Sequence, residues 1–105
     1  MRKPIRHDIK DPSEVLLITC DFTDYLTTGE TISNQTWTST VKTGTDIHAS
    51  DMVTGTPAVS GSRCSLLVQK GENGVDYIVS CLATTSTGQK LKLSYLLPVR
   101  TQELL

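Results

Sequence analysis

Two histidines, three cysteines and a scatter of carboxylates are the side chains of this 105-residue sequence able to do chemistry, and their spacing limits what that chemistry is. His48 stands between Asp46 and Asp51, a grouping that offers a general base or part of a metal ligand set. Read as a strand, the segment puts Asp46 and His48 on one face and Asp51 on the other, which describes a solvated polar edge. Neither His48 nor His7 has a second ligand at zinc spacing, and Cys64 and Cys81 form no Cys-x-x-Cys pair. Asp21, Asp24 and Glu30, with Thr23 and Thr28, supply oxygen donors for calcium but lack the spacing and turn glycine of an EF-hand loop, so turn and capping duties account for them. Gly71-Glu72-Asn73-Gly74 carries no following Lys-Ser or Lys-Thr and joins two strands, so it is no phosphate loop. Asn34-Gln35-Thr36 fits a glycosylation acceptor, a pattern that carries no meaning outside eukaryotic secretion. No catalytic residue, metal or cofactor is assigned, and the expectation is a protein without enzymatic activity.

Ten basic against eleven acidic residues give a formal net charge of −1, so no overall field favours nucleic acid or anionic lipid, and the apolar runs are too short to span a bilayer. The basic residues nearest the N-terminus, Arg2, Lys3, Arg6, His7 and Lys10, form the one cluster suited to docking, against an acidic protein surface. Each exposed ion pair made there is worth about 1 kcal/mol or less. No apolar stretch of signal-peptide length follows them, so a reducing compartment at synthesis and three unbridged cysteines are expected. The order Cys20, Trp37, Cys81 mimics that of antibody domains, but the inward-pointing cysteines are read as small apolar fillers. A Cys20–Cys81 bridge would be worth roughly 4 kcal/mol by loop entropy.

The elements that must position these residues are strands. Serine and threonine number 26, and aromatics are 5%, a composition suited to short half-exposed strands. Tyr77, Val79, Cys81 and Ala83 alternate with Ile78, Ser80, Leu82 and Thr84; after a glycine-containing loop, Leu91, Leu93, Tyr95, Leu97 and Val99 share one face of an antiparallel partner. Cys64, Leu66 and Val68 point inward on another strand, Trp37 marks the buried face of residues 31–41, and residues 15–22 form a dense apolar strand. Residues 46–53 are expected as a strand and Thr54-Gly55-Thr56-Pro57 as a turn. Residues 1–13, interrupted by Pro4 and Pro12, read as an extended arm outside the core and free to reach a neighbour, ahead of a single domain over residues 14–105. The sum is an all-β sandwich of about seven antiparallel strands. Tyr77, four residues before Cys81 and just after a polar turn, is similar to the tyrosine corner of immunoglobulin-like sandwiches, where the interval is two.

Lys10-Asp11-Pro12, then Asp21-Phe22-Thr23-Asp24-Tyr25, Gly29-Glu30-Thr31-Ile32, Thr36-Trp37-Thr38 and the Tyr77-x-Val79-x-Cys81 strand resemble a family of small tailed-bacteriophage structural proteins, the fiber-tail adaptors or neck (head-tail connection) components. The sequence departs from that pattern at Phe22, where tryptophan is usual, at Glu30, where aspartate is usual, and across residues 42–61. The resemblance implies a virion protein of the tail or neck, made in the host cytoplasm. It implies partners among fiber or tailspike proteins and adaptor or connector subunits, with several copies assembling in the particle, and neither nucleic acid nor membrane. Outward-facing Leu67, Ile78, Leu82 and Leu96, with Arg2, Lys3 and Arg6, are the candidate partner or oligomer interface. The competing expectation is an immunoglobulin-like surface- or glycan-binding module, which needs an exposed aromatic platform that five aromatic residues can scarcely supply. A small regulatory or inhibitory phage protein is a third.

Overall fold

A computed structural model describes residues 4–102. Seven strands make two sheets: β1 (Ile5–Arg6), β2 (Leu16–Asp21), β3 (Ile32–Thr43), β4 (Val53–Ser60), β5 (Arg63–Val68), β6 (Asp76–Thr85) and β7 (Lys90–Pro98). Their order is β1-β7-β6-β3 in one sheet and β2-β5-β4 in the other. The β1–β7 pair is parallel and the other strand pairs are antiparallel.

Period-two alternation builds the core as expected. Tyr77, Val79, Cys81 and Ala83 of β6 are fully buried against Ile18 and Cys20 of β2 and Cys64, Leu66 and Val68 of β5, with Trp37 of β3 and Leu93 and Leu97 of β7 beside them. Each buried aliphatic side chain contributes about 1.5–3 kcal/mol relative to exposure.

The stretch over residues 46–57 differs from the sequence expectation in both its parts. Instead of a strand, residues 46–52 hold a turn in which Asp46 Oδ1 accepts the His48 backbone N–H at 2.8 Å, followed by a 3-10 helix over Ala49–Met52. Ala49 and Met52, three residues apart, lie on the same side of that helix and are both buried. The following Thr54 to Pro57 is no free turn but part of β4. Thr54 pairs with Leu67 and Ala58 with Ser65, so three residues oppose Leu66 alone, and Gly55 takes the bulge with φ +79.

The N-terminal arm is extended, yet residues 5–10 lie on the chain's own sheet. Ile5 and Arg6 pair with Tyr95 and Leu96, the Lys10 N–H donates to Pro98 O at 2.9 Å, and the Lys10 side chain is fully buried. Arg2 and Lys3 lie outside the described residues.

Candidate docking surfaces

The residues first weighed for chemistry are occupied in holding turns. Asp46 Oδ2 accepts the Tyr77 hydroxyl at 2.6 Å, and the same hydroxyl accepts the Glu72 N–H at 2.8 Å. Burial, then the Asp46 bond, push the Tyr77 phenol up to about 12. Because the segment is a turn and not a strand, Asp51 comes to the same side as His48, with Oδ2 3.7 Å from Nδ1, both side chains well exposed. They border an open cleft of about 490 Å³ with Pro12, Asp46, Lys70, Gly71 and Glu72. Asp21 accepts the Thr23 N–H at 2.9 Å and the Arg63 Nε–H at 3.2 Å, with the Thr23 hydroxyl depressing its pKa most. Among the described residues no group of three or more His, Cys, Asp or Glu is placed to hold a metal ion.

Glu30 is the most enclosed of these carboxylates. It accepts the hydroxyls of Thr85 and Thr87, the Gln89 amide at 3.0 and 3.1 Å and the Thr27 N–H at 2.9 Å, so donors from the end of β6, the β6–β7 loop and the loop before β3 meet on one side chain. Those donors, the Thr85 hydroxyl foremost, hold its carboxyl down to about 2.

Asp11 serves similarly at the start of the domain. Its Oδ2 accepts the Ser13 N–H at 2.8 Å and its Oδ1 the Gln102 N–H at 2.7 Å, while its own N–H donates to Glu14 Oε1 at 2.7 Å. The neighbouring Lys10 ties this end to Pro98, so residues 10–98 close upon themselves through their own termini. A family model described as podophage GP4 fiber-tail adaptor protein gp77 matches residues 10–98. The chain belongs to this fiber-tail adaptor family. No curated protein and no solved structure matches it. The family is one of structural adaptors in the phage tail, so the surfaces of this adaptor, more than its clefts, are where function is to be sought.

Four candidate interface residues come together on the outward face of the four-stranded sheet. Arg6, Leu96, Ile78 and Thr40 are successive partners across β1, β7, β6 and β3 and therefore form one row. Leu82 lies on the same face between Thr36 and Lys92, and Ser80 and Ser94, bonded hydroxyl to hydroxyl at 2.7 Å, belong to the row between. Leu67 is elsewhere. It faces outward from the other sheet, paired with Leu17, so it shares no surface with Ile78, Leu82 or Leu96. Leu17 is 62% exposed, Leu67 41% and the adjoining Val15 57%, an apolar patch of which sequence reasoning singled out only Leu67. The signal for Leu17 was present: it alternates with Ile18 inside a run read only as densely apolar.

No helix among the described residues is long and apolar enough to cross a membrane.

Proposed function

We propose that this adaptor is a non-enzymatic virion protein that docks a fiber or tailspike to the tail machine, in several copies, using the outward faces of its two sheets. The observation that carries the proposal is the family match over residues 10–98, and the exposed Leu17–Leu67 pair supports it. An interface core needs desolvated apolar side chains within a polar rim, and this patch is bordered by Asp21 and Arg63 at one end of the same strands. The Arg6, Leu96, Ile78 and Leu82 face supplies a second surface, and Arg2 and Lys3 extend its basic end in sequence.

The strand order supports an immunoglobulin-like reading. β2-β5-β4 and β7-β6-β3 have the connectivity of the B-E-D and G-F-C strands, with the first strand transferred to the second group, and Tyr77 bonds back to the backbone five residues upstream as a corner tyrosine does. A glycan platform finds no support. Phe22, Trp37 and Tyr77 are buried, and the Tyr95 hydroxyl donates to Thr19 O at 2.8 Å, which leaves Tyr25 as the one well-exposed ring.

Cryo-electron microscopy of the tail of the parent particle tests the reading. Several copies between tail and fiber are expected; a particle that lacks the chain, together with a strictly monomeric protein that binds no tail component, would overturn it.

A further inference from the structure

The three cysteines meet at the centre of the sandwich. Cys20 and Cys64 are directly opposed across β2 and β5, both fully buried, and Cys81, on the inward face of β6 in the other sheet, turns its thiol onto theirs. Trp37 pairs with Cys81 on β3. The strands that carry Cys20, Trp37 and Cys81 thus hold the positions that the B, C and F strands hold in an immunoglobulin sandwich, where an inter-sheet disulfide packs against a tryptophan. In this protein all three thiols are free.

We propose that Cys20 and Cys81 are an oxidation site that closes into an inter-sheet disulfide when the protein meets a peroxide-class oxidant. The Cys20 sulfur attacks peroxide, taking one oxygen as a sulfenic acid while the other leaves as water; the Cys81 sulfur then displaces that hydroxyl, which departs as a second water with the Cys81 proton. Two thiols and one peroxide give one disulfide and two waters. The Cys20–Cys81 contact places the two sulfurs for this exchange, and a first attack by Cys81 would give the same bond and the same two waters. Cys64 lies beside Cys20 in the same sheet, on a strand that holds the E position, so an inter-sheet bridge between the B- and F-position strands leaves it the spare thiol. A water-sized oxidant suits a fully buried cluster that bulkier thiol reagents do not reach without opening of the sheets. The bond would stay open in a reducing host cytoplasm and close once the protein is outside it. The chemistry rests on the sandwich alone and stands or falls apart from the adaptor role.

The test uses the reduced full chain, treated with hydrogen peroxide, then denatured, alkylated and digested with trypsin without reductant. The cysteines fall on separate tryptic peptides, residues 11–42, 64–70 and 71–90. Expected are loss of two hydrogens per chain, peptide 11–42 joined to 71–90, alkylated Cys64, and a reductant-reversible rise in Tm of more than about 10 °C. Cys64→Ala should still bridge; should it fail to fold, the wild-type map decides alone. A Cys20–Cys64 pairing, oxygen adducts without a cross-link, or three alkylated thiols would overturn the proposal.

Discussion

The ammonium of Lys10 donates to the carbonyl oxygen of Lys70, sixty residues away, at 2.5 Å, and to Asp11 O at 2.9 Å. Burial lowers the Lys10 pKa, and the two carbonyls supply the polar contact that water would otherwise give. Lys70 itself sits at φ +57, a left-handed turn that aims its carbonyl inward. Lys10→Met keeps the aliphatic stem but leaves both carbonyls without this donor. A loss of about 1–3 kcal/mol in urea unfolding is expected; an unchanged midpoint would show that the arm is not fastened there.

Acid should loosen the protein through Glu30. Its folded pKa, about 2, lies below the ordinary glutamate value, so the stabilisation is fully present above the unfolded pKa and is lost as pH falls through the folded one. Asp11, also held to about 2, adds to the same window. Urea midpoints measured from neutral pH down to about 2 should decline for the wild type below about 4.5 and decline less steeply for Glu30→Gln. Equal slopes would refute the assignment to Glu30.

Gly71 has φ +98, and a Cβ there would stand 2.8 Å from Val99 Cγ2 and 3.2 Å from Met52 Cε. Gly71→Ala therefore meets both backbone strain and overpacking, for a combined cost of roughly 2–4 kcal/mol in chemical denaturation. Gly74→Ala, with the same sign of φ but nothing within 4 Å, isolates the backbone share and should cost less.

Charging the exposed patch separates folding from docking. Leu17→Lys and Leu67→Lys should leave the isolated chain's stability within about 0.5 kcal/mol, since neither side chain is in the core. Co-assembly with tail proteins, followed by solution mass, should fall at least tenfold in affinity. Leu82→Lys, on the other sheet, reports whether the second face is engaged independently.

The β6–β7 hairpin and the β5 strand were legible because a strand with one buried face writes its burial at period two: Tyr77 to Ala83 and Cys64 to Val68 need no other information. Residues 46–57 were not, because Ala49 and Met52 bury at a three-residue interval and the bulge at Gly55 breaks alternation within a paired strand. The arm hid for another reason. Ile5–Arg6 is too short to show a period, and a lysine is ordinarily a surface residue, so the burial of Lys10 left no trace but the Lys10-Asp11-Pro12 motif of the family resemblance. The candidate docking residues were half legible: the outward residues of each strand could be read, but their assignment to different sheets depends on long-range pairing. The cysteines of the Cys20, Trp37, Cys81 order, read as apolar fillers, are buried on strands of the two different sheets.

The separation of Leu67 from Ile78, Leu82 and Leu96 bears on the symmetry of any assembly. Two unlike patches that look away from one another cannot both be buried in a single two-fold contact, where each patch must meet its own copy. If one patch meets the other, each contact is head to tail, and successive copies turn by a fixed angle. Such a series closes into a ring when that angle divides a full circle and otherwise runs on as an open helix. A closed ring would satisfy every copy alike, whereas an open helix would leave one patch unmet at each end.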